Sequence, residues 1–179
     1  MKIAAIADIH GNYQALIAAI DHIERWKPNR VLVLGDIINR GPRSLDCLHL
    51  IQEKIKTDDW RIIKGNHEGY VLNFTDPDFP LHGLEFELRK IIYWTFQSLN
   101  ENEIQSVAEM PEKLDLVLQN NQLIRGLHAS TAGDRVGIYP DSSDSDLKNL
   151  VDNKADVFLI GHTHQPFIKD FQGTVVINT

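Results

Sequence analysis

Val31-Leu32-Val33-Leu34-Gly35-Asp36 is the stretch from which the fold can be read. Four apolar residues closed by a glycine and an acid predict a short strand buried on both faces. Residues 2–7 repeat the pattern upstream and end at the polar Asp8. Between the two strands, residues 13–26 show helical spacing, with Leu16, Ile17, Ile20 and Ile23 on one face. Downstream, Ser44 is placed to cap a helix whose apolar face holds Leu45, Leu48 and Ile51. Arg61-Ile62-Ile63-Lys64 then forms a third strand, ended by Gly65-Asn66. Strands alternating with helices predict parallel pairing through right-handed crossovers.

Residues 74–82 interrupt this rhythm with Pro77, Pro80 and two aspartates. Residues 83–98 and 101–109 have helical character, so a small helical insertion is expected over about 74–109. Strands are predicted at 113–119 and 122–128, with Asn120-Asn121 suited to a tight turn between them. A helix at 144–152 leads to the buried strand Val157-Phe158-Leu159-Ile160, ended by Gly161. Two more strands follow at 166–171 and 174–178, joined near Gln172-Gly173. No repeat, low-complexity stretch or long linker divides the 179 residues, so a single domain over 1–179 is expected.

Composition narrows the partners. Hydrophobic residues make up 42% and charged residues 24%, an ordinary globular balance. The net charge is −7 and the 18 Lys and Arg are scattered, which argues against nucleic acid as a bulk partner. One cysteine, Cys47, allows no intrachain disulfide and fits a reducing compartment. The apolar N-terminus is too short for a signal peptide and is broken by Asp8 and His10. No run has the length of a membrane span, so the expected location is the cytoplasm.

The polar groups recur at one kind of place. Asp8 and His10 follow the first strand, Asp36 the second, and Asn66 and His67 the third. His128 ends the second strand of the hairpin, and His162 and His164 follow the Val157–Ile160 strand. Parallel sheets put ligands at the carboxyl ends of their strands, so these segments can meet at one edge. Carboxylate, imidazole and amide oxygen together suit Mn, Fe, Co, Ni or Zn. Asp8-Ile9-His10 and His162-Thr163-His164 are expected to point both donors to one side through strand alternation. Gly35, Gly65 and Gly161 are expected to let the backbone turn into each loop. His22, His49 and His82 lie outside this pattern and read as surface or packing residues.

Asp8-x-His10, Gly35-Asp36, Gly65-Asn66-His67-Glu68, His128 and Gly161-His162-Thr163-His164 resemble the calcineurin-like metallophosphoesterase superfamily in order and spacing. Gly35-Asp36-Ile37-Ile38-Asn39-Arg40-Gly41-Pro42 and Glu68 resemble its phosphoprotein-phosphatase branch. Trp94-Thr95 and the helix before Met110-Pro111 look like bacterial phosphoesterases related to that branch. The resemblance implies a four-layer α/β/β/α sandwich with two central mixed sheets. It implies that Asp8, His10 and His164 hold one divalent metal ion and that Asn66, His128 and His162 hold a second, with Asp36 bridging. It makes His67 the proton-donating histidine and Arg40 a phosphate-binding arginine. Asn39 stands where the branch has an aspartate that orients and charges that histidine. The family usually continues past Ile177-Asn178-Thr179 into further strands, whereas this chain stops there.

The implied activity is hydrolysis of a phosphate ester by a hydroxide bridging two metals. Two divalent cations outweigh Asp8, Asp36 and one hydroxide, which leaves a positive centre for a phosphate oxygen. Two narrower readings are a protein Ser/Thr phosphatase and a dinucleoside polyphosphate hydrolase; Arg40-Gly41-Pro42 favours these and Asn39 opposes them. A non-catalytic scaffold on the same fold would be expected to have lost metal ligands, but all seven residues are present.

Overall fold

The computed structural model describes residues 1–75 and 80–179. In chain order the elements are β1 (Ile3–Ile6), α1 (Tyr13–Trp26), β2 (Arg30–Val33), α2 (Ser44–Asp58), β3 (Arg61–Ile62) and α3 (Asn66–Leu72). A 3₁₀ turn (Asn73–Thr75), α4 (Gly83–Ser98) and α5 (Glu101–Ala108) follow. The second half holds β4 (Lys113–Val117), β5 (Leu123–Leu127), α6 (Asp144–Leu150), β6 (Val157–Ile160), β7 (Phe167–Phe171) and β8 (Thr174–Asn178). Part of the expected break at 74–82, including Pro77, lies outside the described residues.

The strands form two sheets, β1-β2-β3 and β4-β5-β6-β8-β7. The larger is mixed, with antiparallel hairpins β4–β5 and β7–β8 flanking the parallel pairs β5–β6 and β6–β8. The described strands of the smaller are all parallel, as the alternation of strands and helices predicts, where the family resemblance implied a mixture. Each of its connections carries a helix, and a crossover of that kind returns the chain in the same direction.

Side-chain alternation builds the layers. On β2, Val31 and Val33 pack against Leu16, Ile20, Leu48 and Ile51 of the first two helices. Leu32 and Leu34 point the other way and meet Ile124 and Leu159 of the second sheet. On β6, Leu159 faces the first sheet, while Phe158 and Ile160 join Leu147 of α6 on the far side. The result is the expected helix, sheet, sheet, helix stack. The insertion does not stand apart: Ile92, Leu99 and Val107 belong to the same core as α1 and α2, with α4 and α5 packed against α3. No helix among the described residues is long and apolar enough to cross a membrane.

Candidate metal centre

All seven expected donors come together at the strand ends. His10, Asp36, Asn66, His162 and His164 line one cavity of about 230 Å³, together with Arg40 and His67. Asp8 and His128 stand directly behind: Asp8 Oδ1 is 3.5 Å from His164 Nε2, and His128 Nε2 is 3.3 Å from Asp36 Oδ2.

Strand alternation is not what aims them. β1 ends at Ile6 and β6 at Ile160, before the donors begin. Asp8, His10, Asp36, Asn39, Arg40, His162 and His164 all have positive φ, between 46° and 72°. Non-glycine residues held there cost on the order of 1–3 kcal/mol each and persist only where the surroundings dictate them. Here the loops lace each other. The His10 N–H donates to the Asp36 carbonyl at 2.8 Å, Gly41 N–H to the His10 carbonyl at 2.8 Å, and His162 N–H to Asp8 Oδ2 at 2.8 Å. Ser44 serves this lacing and does not cap α2, which begins at Ser44 itself. Its hydroxyl accepts from Asn39 N–H at 2.9 Å and so closes the 39–41 turn.

Glu68 is the other organiser. Its fully buried carboxylate accepts four backbone N–H bonds: Asp36 and Gly65 on Oε2 at 2.8 Å, Ile37 and Ile38 on Oε1 at 2.8 and 3.1 Å. Four donors and no acceptor suit a carboxylate, although burial and the Asp36 charge push its pKa up. One side chain thus ties the loop carrying Asp36 to the start of α3, which carries Asn66 and His67. The close fit explains two of the glycines differently from the expected sharp turns, which only Gly35 makes, with φ of +91°. Gly65 is extended, and a Cβ on it would lie 2.2 Å from Asp36 Oδ1. A Cβ on Gly161 would lie 2.5 Å from Ala7 Cβ and 2.7 Å from Asp8 Oδ2.

The donor atoms fall into two clusters. In one, Asn66 Oδ1 is 2.9 Å from both His128 Nε2 and His162 Nδ1, which are 3.3 Å from each other. In the other, His10 Nε2 is 3.1 Å from His164 Nε2 and 4.0 Å from Asp8 Oδ1. Asp36 Oδ2 lies between them, 3.3 Å from His128 Nε2 and 3.7 Å from His10 Nε2. A metal bound at about 2.0–2.2 Å sets neighbouring ligands about 3.0–3.6 Å apart, so most of these spacings fit shared cations.

Hydrogen-bond bookkeeping points the same way. The His128 Nδ1–H donates to the Leu34 carbonyl at 2.8 Å. In the neutral ring that leaves a lone pair on Nε2, facing the oxygens of Asn66 and Asp36. Asp8 Oδ1 is buried with no hydrogen-bond partner. These acceptors turned toward one another call for positive charge.

The titration shifts agree. Burial pushes the Asp8 carboxyl up, against the pull of His128. Burial would also raise Asp36, but its hydrogen bond and ion pair with His128 hold it below the usual range. Burial lowers His128, yet Asp36 and the Leu34 carbonyl outweigh it and lift that imidazole to about 9. Without a metal, one proton on His128 supplies part of the missing positive charge. Burial lowers His10 and His67 to about 4 despite Asp36.

His67 sits at the cavity wall, its ring edge-on to His10 at 4.7 Å and to Tyr70 at 5.2 Å. Asn39 Nδ2 lies 2.8 Å from His67 Nδ1. The amide is oriented by its other end, because Asn39 Oδ1 accepts from Arg40 N–H at 2.9 Å and from Thr95 Oγ1 at 3.4 Å. Asn39 therefore donates to His67, which an aspartate in its place could not do. The ring proton is then left on Nε2. Thr95, fully buried on α4, reaches the site from 56 residues away, a contact the sequence does not signal. Glu68 had a signal, the Gly65-x-x-Glu68 spacing of a helix N-terminus whose third residue reaches back. His22, His49 and His82 are exposed and away from the site, with His49 bonded to Glu103 at 2.6 Å.

Strand ends of two sheets converging on paired clusters of metal-donor side chains define a metal-binding enzyme of the α/β class. The chain belongs to the calcineurin-like phosphoesterase family, whose family model matches residues 1–166. It is accordingly a hydrolase of phosphoric esters. Among relatives, it is 26% identical over 179 residues to the uncharacterized protein MJ0912 of Methanocaldococcus jannaschii, covering 98% of this chain and 68% of that one. It is 27% identical over 194 residues to serine/threonine-protein phosphatase 2 of Escherichia coli, covering 97% and 85% of the two chains. The fold matches a hypothetical protein of Pyrococcus horikoshii, PH1004, with a TM-score of 0.83 at 20% identity, over 99% of this chain and 75% of that one.

Proposed function

We propose that the chain is a dinuclear phosphoesterase in which Asp36 bridges two divalent ions. Asp8, His10 and His164 hold one ion, and Asn66, His128 and His162 hold the other. The observation that carries this reading is the place of Asp36 Oδ2 between the two clusters, 3.3 and 3.7 Å from their nearest imidazole nitrogens. The ions, drawn from Mn, Fe, Zn, Ni or Co by this donor set, would supply charge neutralisation and a water of lowered pKa.

The remaining roles belong to the chain itself. Arg40 is exposed at the cavity, with no carboxylate partner among the described residues, and its guanidinium matches a phosphate. Its backbone is held by Asn39, so phosphate binding and the His67 tautomer share one support. With its proton on Nε2, His67 is a hydrogen-bond donor to a phosphate oxygen. Protonating Nδ1 would require the Asn39 amide to turn over and give up its bond from Arg40 N–H.

That arrangement bears on substrate. An imidazole without a carboxylate behind it is poorly set to protonate an alkoxide. The favoured substrates are those whose leaving group departs as a stable anion, such as phosphoric anhydrides and aryl phosphates. A relative in Bacillus subtilis, 28% identical over 151 residues covering 75% of this chain and 59% of that one, is named an asymmetrical bis(5'-nucleosyl)-tetraphosphatase. We favour the dinucleoside polyphosphate class over Ser/Thr phosphoproteins. The test is an assay of the metal-loaded protein on a dinucleoside tetraphosphate, an aryl phosphate and a phosphoserine peptide. Preference for the first two is expected. A preference for the peptide contradicts the substrate class, and no turnover on any of them with two ions bound contradicts the catalytic reading.

A further inference from the structure

The cavity that holds Arg40, His67 and the donor side chains is smaller than a dinucleotide. It measures about 230 Å³, whereas pockets that enclose a whole ligand run to about 300–1,000 Å³. With a phosphoryl group inside, the rest of such a substrate must lie on the rim. Its surroundings there are the side chains that stand beside the lining residues.

One stretch of that rim is the loop of residues 134–139, to which the metal assignment gives no role. The loop is fastened on both sides of the cavity. The Arg135 guanidinium lies over the Tyr70 ring at 4.6 Å, and that ring is the edge-on neighbour of His67. Ile138 is fully buried with Leu147 and Phe158 in the far core. The Tyr139 N–H donates to Ser142 Oγ at 2.9 Å, and the Ser142 N–H to the Tyr139 carbonyl at 3.0 Å. Between these points Gly137 is pressed against the cavity wall. The place a Cβ on it would take is 2.5 Å from Thr163 Cγ2, 3.0 Å from His162 Cδ2 and 3.7 Å from Tyr139 Cε2. Two lining residues of the cavity and the Tyr139 ring therefore surround one point. Any larger residue at 137 would lift the loop off the wall.

On this fixed backbone Tyr139 is 45% exposed and Val136 43% exposed. A tyrosine offers a large flat surface and loses little freedom when another ring lies on it. We propose that Tyr139 is a specificity-determining residue, the platform on which a nucleobase of the substrate stacks while a phosphoryl group occupies the cavity. The assignment rests on the phosphoesterase reading and deepens it, because it gives the non-reacting part of the substrate a named partner. A phosphoserine side chain has no ring to place there, and neither has inorganic polyphosphate.

Hydrolysis of a dinucleoside tetraphosphate and of inorganic tripolyphosphate by the metal-loaded chain, in excess metal, tests this. Both are phosphoric anhydrides, but only the first carries rings. Tyr139→Ala should lower the ratio of kcat/KM for the dinucleotide to that for tripolyphosphate about tenfold, mainly through KM, the order of one base–aromatic stack. Tyr139→Phe should restore the wild-type ratio, and Tyr139→Leu, bulky but not flat, should not. A second readout needs no turnover: adenosine monophosphate should quench the fluorescence of Tyr139→Trp beyond its effect on the wild type, and inorganic phosphate should not. An unchanged ratio in Tyr139→Ala, a leucine variant equal to the phenylalanine one, or a tryptophan variant blind to the nucleotide overturns the proposal and leaves the phosphoesterase reading standing. A wild type that hydrolyses neither substrate with two ions bound overturns that reading, and the proposal with it.

Discussion

The cluster of Asn66, His128 and His162 and the cluster of Asp8, His10 and His164 use similar donors in different surroundings. In the first, nitrogen and amide oxygen atoms stand 2.9–3.3 Å apart. The His128 side chain is 1% exposed, and its ring is aimed by the Leu34 carbonyl. In the second, spacings run from 3.1 to 4.0 Å and the His164 side chain is 47% exposed. His10 Nδ1 is buried with no partner to orient the ring. Outer hydrogen bonds of the Leu34 kind typically change metal affinity by about 10–100-fold. Under the proposed assignment, the first cluster is the preformed site and the second the more open one. A proposed bridge at Asp36 then makes the second ion depend on the first.

Removing the bridge should have the largest effect. Asp36→Asn should lose both ions and cut hydrolysis by more than about a hundredfold, beyond the cost of an outer partner alone. Two tightly bound ions with ordinary turnover, counted by metal analysis, would end the bridging role. The next test separates the halves. His128→Ala should abolish the tight site and, through Asp36, weaken the open one. His164→Ala should leave one tight ion in place. Equal losses in the two variants, read by calorimetric titration, would mean that burial does not rank the sites.

The metal-free protein offers a thermodynamic version. His128 is raised from 6.5 to about 9, so its protonated form stabilises the fold fully below pH 6.5. That stability is lost as pH rises through about 9. Thermal melts of the apo protein should fall across this window, and those of the metal-loaded protein should not. A flat apo profile would mean that no proton substitutes for the cation.

Which parts of this were legible in the sequence follows from the range of the forces involved. Gly-Asp, Gly-Asn-His-Glu and Gly-His-Thr-His stand next to apolar runs, so their place at strand ends could be read locally. The reason Asp8 and His10 converge could not, because left-handed backbone is imposed by the neighbouring loop through Asp36 and Gly41. The direction of the Asn39 amide is set by the Arg40 N–H within the folded 39–41 turn, with Thr95 as a longer second contact that only the folded chain brings near. The all-parallel first sheet follows from its helical connections. The insertion was legible as helices, but its packing against α3 and its share in the core of the first sheet were not.

The smallest effects concern His67. His67→Ala should keep both ions and lose about ten- to hundredfold, the worth of a hydrogen bond to a charged group. The loss should be similar for good and poor leaving groups. A loss that grows with leaving-group basicity would make His67 the proton donor after all. Asn39→Asp puts a carboxylate against the ring in place of an amide donor, which favours the imidazolium and raises His67 from about 4. The alkaline limb of the pH–rate profile should move up, most clearly for alkyl esters. An unmoved limb would show that residue 39 does not govern His67.

A paired metal centre joined by Asp36 can be seen in a manganese titration followed by electron paramagnetic resonance. Two ions per chain are expected, the first uncoupled and the second giving the signature of an exchange-coupled pair, with coupling absent in Asp36→Asn. Saturation at one ion, or two ions that never couple, would contradict the bridged pair.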